Sequence, residues 1–419
     1  MAPKCNMLGN ILTAMCFLAT SCALRLSDQP NHPLHKSDAA PISFKHPGVF
    51  ITKPQLEFVR TQVRAGAEPW STAYKSMLAH DLAKLSRNPS PQAAVKCDSG
   101  SSEDQGNGCH NERQDALAAW AMAVAYHISG DAKYAQKSMS YLNAWSAALR
   151  SHAGSNANLQ IGWAGTSWVR AAELIRYSGA GWSDGDIAAF ENMVRSKFLP
   201  TAAKSDNRIA NWDLVLLETA VEAAVFLDDR NTYDAVSKLF VEAVPAYIYL
   251  SSDGQYPKAA RGKSSKPADL IKAWFNQTRF VDGLEQETCR DLVHTGYGIA
   301  SIAHFAETAW IQGDDYYTGD VGRRLLAALE FHTKFLNGEA VPNWLCGGAI
   351  PKMNDDGAFD VTEVGLNALG TRLGLNTQQT GRYTQRTRPH ETNWLFIGWE
   401  TVTHARNPTN ASAVVMRGL

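Results

Sequence analysis

The sequence predicts an all-α protein, an incomplete (α/α) toroid or barrel of antiparallel helical hairpins with few short strands. Three observations carry that expectation. From Pro54 onward, apolar residues recur at three- and four-residue spacing through segment after segment. Many segments are separated by short breakers such as Ser129-Gly130-Asp131, Gly179-Ala180-Gly181 and Asp228-Asp229, and short connections force neighbouring helices to run in opposite directions. Strand-like alternation is scarce, with hints only at 246–250 and 359–361. No repeat of clear period is present, which argues against the common solenoid families.

Taken in order, the periodic segments lie at 54–65, 68–86, 113–128, 131–150, 162–178, 184–198, 212–227, 231–248, 286–312, 319–336, 361–373 and 392–405. The stretch 286–312 stands apart from the others. Read as one helix turning about 100° per residue, it gathers Glu287, Arg290, His294, Tyr297 and Ser301 into one stripe, with Leu292, Ile299, Ile302, Ala303, Ala306, Ala309 and Trp310 opposite. A solvated face would carry Lys, Glu and Gln. This one carries a cation, an imidazole, a phenol and a carboxylate beside Gly296 and Gly298, where a bulky ligand has room to approach. That set suits binding and deprotonating an acidic sugar; the plainer alternative is an ion-pair ladder with Tyr297 in the core. A toroid whose inner helices send polar side chains into a central cleft explains why a packed helix keeps such a stripe.

Segment 251–285, punctuated by Gly and Pro, feeds directly into that stretch and carries Tyr256, Lys258, Arg261, Lys263 and Lys266. It reads either as a basic loop that covers an anionic chain or as a solvated surface loop.

With 419 residues, 45% hydrophobic and 19% charged, the chain can bury one large core or two ordinary ones. A formal net charge of -1 gives no global attraction to nucleic acid or to a membrane surface, so a polyanion has to meet a local patch. No internal apolar run is long enough to span a bilayer. The first residues read as an export signal: Lys4, an apolar run from Met7 to Leu18, then Ser21, Cys22 and Ala23, with cleavage after Ala23. A lipoprotein reading at Cys22 is weaker, since the third residue before it is Ala19 rather than Leu. The expected organisation is a signal peptide at 1–23, a flexible mature N-terminus at 24–45, the toroid at 46–406 and a C-terminal tail at 407–419, in a secreted, extracellular monomer.

Export leaves Cys97, Cys109, Cys289 and Cys346, a count that suggests two disulfides. Cys97 and Cys109 bracket the polar loop DSGSSEDQGNG, whose closure is worth about 3 kcal/mol in a chain-entropy model. Cys289 and Cys346 pair by elimination and would pin the start of the key stretch to a later loop. A zinc site from Cys97, Cys109 and His110 is the sharper alternative, although the spacing matches no strong pattern. Asn276 and Asn410 stand in glycosylation sequons. No HExxH, P-loop, GxSxG or GxGxxG arrangement stands in a convincing context.

Five blocks in order, HPGVFITKPQLEFVRTQV, CHNERQDALAAWAMAVAYHISGDAKYAQKSMSYLNAWS, LQIGWAGTSWVRAAELIRY, NWDLVLLETAVEAAVFLDD and ETCRDLVHTGYGIASIAHFAETAW, carry a family signal. From about His46 to Ala405 the chain resembles the alginate-lyase-like polysaccharide lyases of the (α/α) toroid type. The resemblance implies cleavage of uronate polymers by β-elimination in the toroid cleft. An Asn and an Arg or His would neutralise the uronate carboxylate while a Tyr, sometimes with a His, handles the protons. Those residues map to Asn211, Arg290 and Tyr297. In many relatives a His follows the Asn directly; here Trp212 does, and His294 is the residue expected to take over. Near the C-terminus, where relatives often read Tyr, Asn and His after a Glu, this chain has Glu363-Val364-Gly365-Leu366-Asn367. Substrate contacts are expected from Glu287, Gln160, Trp163, Trp168, His110 and Asn111, and from Tyr256, Lys258 and Arg261 of the basic segment. Trp120 and Trp145, on apolar faces, read as core, as do His127, His304, His332 and His404.

The chemistry explains the residue types. A carboxylate is a poor electron sink while it keeps its full charge, so removing the adjacent C5 proton needs donors that strengthen as the enolate-like state forms. Arg290 supplies a bidentate cation, Asn211 a neutral donor and His294 another when protonated. Tyr297, with an ordinary phenol pKa of about 10, needs the neighbouring cation to become a base. In β-linked mannuronate and glucuronate the C5 hydrogen and C4 oxygen share one side of the ring, so one phenol can take the proton and return it; a guluronate linkage would need a second group, His294. The expected activity is therefore that of a secreted lyase on a β-1,4-linked polyuronate, mannuronate-type alginate or glucuronan, with an anionic polysaccharide as partner and no cofactor. Two rivals stand beside it: a toroid glycoside hydrolase using two carboxylates from among Asp104, Glu112, Asp115, Glu285 and Glu287, and a carbohydrate-binding relative that has lost activity.

Overall fold

Short polar side chains set the starts of five helices. Thr52, Asp131, Ser183, Asp229 and Asp291 each accept a hydrogen bond from a backbone N–H in the first turn that follows, satisfying donors the helix itself leaves unpaired. In the computed structural model, residues 43–98, 107–205, 211–352 and 359–408 are described. Their helices are α1 (Lys53–Arg64), α2 (Trp70–Ala79), α3 (Cys109–Ser129), α4 (Ala132–Ala148), α5 (Ala157–Arg176), α6 (Asp184–Met193), α7 (Leu199–Ala202), α8 (Asn211–Phe226), α9 (Arg230–Tyr247), α10 (Pro267–Ala273), α11 (Leu292–Gln312), α12 (Asp320–Leu336), α13 (Glu363–Leu366), α14 (Gln378–Thr387) and α15 (Glu400–His404). Two short parallel strands, β1 (Ala94–Lys96) and β2 (Ser151–Ala153), pair with Val95 opposite His152.

The chain is an (α/α) barrel. Four long helices form its inner wall: α3 packs on α5, α5 on α8 and α8 on α11. Three of them pack on an outer helix joined by a short connection: α3 on α4, α8 on α9 and α11 on α12. The circuit of hairpins is incomplete, and short pieces finish it: α11 packs on α13, α13 on α15, α15 on α1, and α1 returns to α3. The inner helices are apolar nearly all round, with every residue of α8 from Leu214 to Phe226 buried, whereas outer helices such as α12 bury one face. Close approach of α5 and α8 depends on two glycines one turn apart. A Cβ at Gly162 would lie 2.7 Å from the Val215 side chain, and one at Gly165 would lie 2.5 Å from Thr219.

Polar side chains inside the wall are paired with one another. Arg170 of α5 meets Glu222 (2.7 and 2.9 Å) and Glu218 (2.5 Å) of α8, and His304 of α11 bridges Glu218 (2.8 Å) and Glu400 of α15 (2.7 Å). The N-terminal segment enters this network: the Arg170 guanidinium sits 3.8 Å from the Phe50 ring, and the Phe50 backbone bonds Thr308 of α11 and His404 of α15. Burial alone would lower the His304 pKa, but Glu218 and Glu400 raise it to about 9. Burial pushes Glu222 up to about 7, against the pull of Arg170 and with the help of Glu218.

Several boundaries differ from the sequence expectation. The stretch 286–312 is not one helix: α11 starts at Leu292, because Asp291 adopts an extended backbone and spends its carboxylate on the His294 N–H. Glu287 and Arg290 therefore sit in a turn. Segment 392–405 is mostly loop, with helix only at α15. Helices α10 and α14 were not expected, and the strand hints at 246–250 and 359–361 are the end of α9 with an isolated bridge from Ile248 to Glu285, and plain chain. The ordered fold begins before residue 46, since Phe44 is buried against Tyr233 and the Lys45 N–H bonds Gln312. It also extends past 406, where Asn407 is fully buried and bonded to Gln55, Asn367 and Thr403. Residues 1–23, expected to be a signal peptide, and Asn410 lie outside the described residues. Among the described residues, no helix is long and apolar enough to cross a membrane.

Two predictions follow from the inner wall. Gly162→Ala forces a methyl into a stiff, β-branched neighbour and is expected to lower stability by about 1–3 kcal/mol, measured by urea unfolding. The network also has a pH signature. A histidine whose folded pKa lies above its unfolded value stabilises most below about 6.5 and loses that contribution as pH climbs toward about 9. Glu222, held up to about 7, adds a penalty that grows as pH rises from the ordinary carboxylate range. Wild-type stability should fall between pH 6.5 and 9, and His304→Gln should be less stable at pH 6 with a flatter decline, read from urea midpoints across that range.

Candidate active site

The site is built where the turn before α11 meets the first residue of α8. Glu287, fully buried, is its hinge. One carboxylate oxygen accepts from Arg290 Nη1 at 2.7 Å; the other accepts from the Asn211 side-chain amide at 2.7 Å and from the Asn211 backbone N–H at 3.2 Å. A cation and an amide from separate parts of the chain are thus fixed by one anion. Arg290 keeps 36% of its side chain exposed while Glu287 keeps none, so the charge faces solvent and its counter-ion does not. Asn211 is 1% exposed, and its amide oxygen has no hydrogen-bond partner among the described residues.

Asp291 does two tasks at the start of α11. It caps the helix through the His294 N–H at 2.8 Å and holds the His294 ring at Nδ1, at 2.7 and 2.9 Å. A ring that donates its Nδ1 proton to a carboxylate presents Nε2 outward. Burial would raise the Asp291 carboxyl, but the two His294 hydrogen bonds and the nearby Arg290 charge hold it below the usual carboxylate range. One turn on, Tyr297 lies with its ring centroid 5.7 Å from His294, 6.1 Å from Trp163 of α5 and 5.8 Å from Phe396, each edge-on. Arg113 of α3 sits 5.6 Å from the Trp163 ring. The cysteines pair as expected, Cys97 with Cys109 and Cys289 with Cys346, which removes two of the three ligands of the zinc alternative. The second bond ties the residue before Arg290 to the loop around Trp344, where Gln277 also bonds the Trp344 carbonyl at 2.7 Å. Among the described residues, no group of three or more His, Cys, Asp or Glu side chains is placed to hold a metal ion.

Asn211, Arg290, His294, Tyr297 and Trp163 therefore come together. Other expected contacts do not. Glu287 is buried, so it orients its neighbours instead of touching a ligand. Gln160 is 1% exposed and bonds Glu112 (2.6 Å) and the Cys109 carbonyl (3.1 Å), joining α5 to the start of α3. Trp168 is fully buried against Trp145. His110 and Asn111 are half-buried in the first turn of α3, with Asn111 donating to Ser90. Tyr256 packs edge-on against Phe280. Arg261 reaches Ser205 and the Lys204 carbonyl, and Lys258 lines a surface cavity of about 380 Å³ with Lys263, Lys272, Trp274 and Gln286. The basic segment is thus folded onto its own small core, held by Arg324 on Asp253, with its lysines gathered beside the residue that precedes Glu287. Asn276 is exposed in the turn after α10.

Sequence reasoning missed Asp291, which a helix-start pattern of Asp followed three residues later by His could have shown. It also missed Phe396, for which no sequence signal existed.

A family model, "Alginate lyase", matches residues 67–341, more than half of the chain. The chain belongs to the alginate lyase family. It is accordingly a polysaccharide lyase, and solved structures share its fold. A crystal structure of an alginate lyase from Bacteroides ovatus is 16% identical, covers 86% of this chain and 100% of its own, and has a TM-score of 0.57. Alginate lyase A1-III from Sphingomonas species A1 is 14% identical over 90% of this chain and 99% of its own, at a TM-score of 0.58. An A1-III variant with one tyrosine replaced by phenylalanine, complexed with tetrasaccharide, is 16% identical over 91% of this chain and 100% of its own, at 0.62. No curated protein sequence matches.

The Glu287 clamp gives this lyase a sharp test. Glu287→Gln keeps the volume but removes the charge that pairs with Arg290, and is expected to lower kcat/KM about 10–100-fold and stability by about 1–3 kcal/mol, measured by initial rates and thermal unfolding.

Proposed function

We propose that the chain is a secreted lyase that cleaves a β-1,4-linked polyuronate, mannuronate-type alginate or glucuronan, by β-elimination. The observation that carries this reading is the sharing of buried Glu287 by Asn211 and Arg290, directly before the His294 and Tyr297 turn. In this reading Arg290 grips the uronate carboxylate from the solvent side. Asn211, buried and held by Glu287, sets its amide beside that grip as a fixed dipole. These donors strengthen as charge moves onto the carboxylate, which is the condition for removing the C5 proton. Tyr297 takes that proton and returns one to the departing C4 oxygen on the same side of the ring. His294, oriented by Asp291, assists the phenol through its outward nitrogen in place of the histidine that Trp212 displaces.

A hydrolase is disfavoured by where the carboxylates lie. Glu112 is buried on His152 and Gln160, Asp115 is buried on Arg87, Ser90 and Trp145, and Glu287 on Arg290 and Asn211. Burial, opposed by Tyr247 and reinforced by Glu287, keeps the Glu285 carboxyl well above the usual range at 1% exposure. Asp104 lies outside the described residues. Hydrolysis needs two carboxylates facing one bond, and these are turned inward. Two disulfides suit an oxidising compartment and support the export reading of residues 1–23.

Tyr297→Phe is expected to lower kcat about 10²–10⁴-fold with KM changed by no more than a few-fold, followed as short-wavelength ultraviolet absorbance of unsaturated product from polymannuronate and glucuronan. Undiminished turnover would exclude Tyr297 as the proton carrier, and cleavage without new absorbance would exclude elimination.

A further inference from the structure

All twelve tryptophans of the chain lie among the described residues, and Trp394 alone exposes a large part of its surface, 43%. It does so from a loop built to hold it still. The Asn393 side-chain oxygen accepts three consecutive backbone N–H groups, from Leu395, Phe396 and Ile397, at 2.9–3.0 Å. Thr392 accepts the Trp394 N–H at 3.1 Å and donates to the Ile397 carbonyl at 2.8 Å, while Thr392 and Gly398 form a bridge. Trp394 itself sits at φ 62, a left-handed conformation that a bulky side chain rarely adopts, and its ring leans on His80 with centroids 4.7 Å apart. The backbone cost of that conformation keeps a large apolar ring facing water, where burial contributes nothing to folding.

The loop's other end is in the active site. Phe396 packs against Tyr297 and against His304, and Gly398 rests on Leu117 and accepts from Trp120 of α3. Two residues of chain span at most about 7 Å, so the Trp394 backbone stands within one sugar length of the residue that packs on Tyr297. A protein partner would need an apolar patch of several hundred Å². Trp394 is instead a single ring flanked by Glu391, Thr392, Asn393 and His80, matching one pyranose, whose axial C–H groups are apolar and whose edges are polar.

We infer that Trp394 is a stacking platform for a uronate ring at a subsite flanking the one that reacts. This assignment rests on the polyuronate reading of the site. A rigid ring loses little conformational freedom on binding, so the contact adds affinity along the chain and leaves the proton transfers to Tyr297 and His294.

The test uses the full-length protein and the exposed position, where substitution leaves the core intact. Trp394→Ala should raise KM for polymannuronate about ten-fold, the scale of one aromatic stacking contact, with kcat within about two-fold; Trp394→Phe should recover most of the loss. The KM of the shortest cleaved oligouronate should change less than that of the polymer. An unchanged KM at every length, or a fall in kcat at constant KM, overturns the inference. A second readout separates it from the functional reading. In a Tyr297→Phe background, titration with a tetrauronate should quench tryptophan emission, and Trp394→Phe should cut that quench to the part owed to Trp163 beside the phenol position; an undiminished quench, or none at all, overturns the platform. If the wild type yields no unsaturated product from any polyuronate, the elimination reading fails, while the same titration with the tetrauronate and with a neutral tetrasaccharide still decides for or against Trp394.

Discussion

Side chains that point inward from the inner helices have no water to bond, and every charge there needs a protein partner. That constraint organises the barrel. Below the site, α5, α8, α11 and α15 meet through Arg170, Glu218, Glu222, His304 and Glu400, all buried and mutually bonded. A second set, Glu307 of α11 with Arg372 and Tyr317, repeats the device. Such networks add little net stability over an apolar core, but breaking one partner is costly, so they fix the register of the helices that share them. Helices α8 and α11 are two of these. Their register sets how the Asn211 end of one lies against the His294 end of the other.

At the site the same physics holds with one member left outside. Glu287 is as buried as Glu218 and, unlike Glu218, engages both of its oxygens, but one of its partners is a partly exposed arginine. The anion is sealed in by protein and the cation faces the cleft. The turn makes this possible. In a continuous helix Arg290 and Glu287 would lie along one packed face; breaking the helix at Asp291 lets Glu287 point into the wall and Arg290 out of it. The disulfide from Cys289 braces that turn from the other side. On α11, Gly298 admits the Tyr247 ring to the helix backbone, where a Cβ would lie 2.2 Å from its hydroxyl oxygen, so the helix that carries Tyr297 is backed by a tightly fitted wall.

The barrel was legible because its helices are long and their turns short; a repeating apolar pattern is a strong signal over outer segments such as 230–247 and 320–336. The site was legible as a set of residue types, through the grouping of Arg290, His294 and Tyr297. Its construction was not. The three-residue spacing from Glu287 to Arg290 fits a helix and a turn equally well, so periodicity ran past the true boundary and Glu287 read as a ligand contact instead of a buried clamp. Gln160 and Trp168 were misjudged for a related reason, since polarity and ring area say nothing about which side of a helix faces the cleft. Helix α14, QQTGRYTQRT, has one large apolar residue and left no pattern to find. The loop at 391–399 owes its shape to one asparagine accepting three N–H groups, a local geometry that an apolar count mistakes for helix.

The choice of a neutral amide at Asn211 follows from the buried carboxylate beside it. Glu287 and Arg290 together carry no net charge, and Asp291 offsets His294 when that ring is protonated, so the clamp brings no surplus of positive charge to the cleft. On the proposed reading a uronate then adds its own charge, and elimination concentrates more of it on the same oxygens. A second fixed cation at Asn211 would bind that ground-state carboxylate tightly while competing with Arg290 for Glu287. An amide held by Glu287 instead contributes a fixed dipole, weak toward the resting carboxylate and stronger as its charge density grows. Stabilisation that rises along the reaction accelerates it, whereas stabilisation spent on the bound substrate does not.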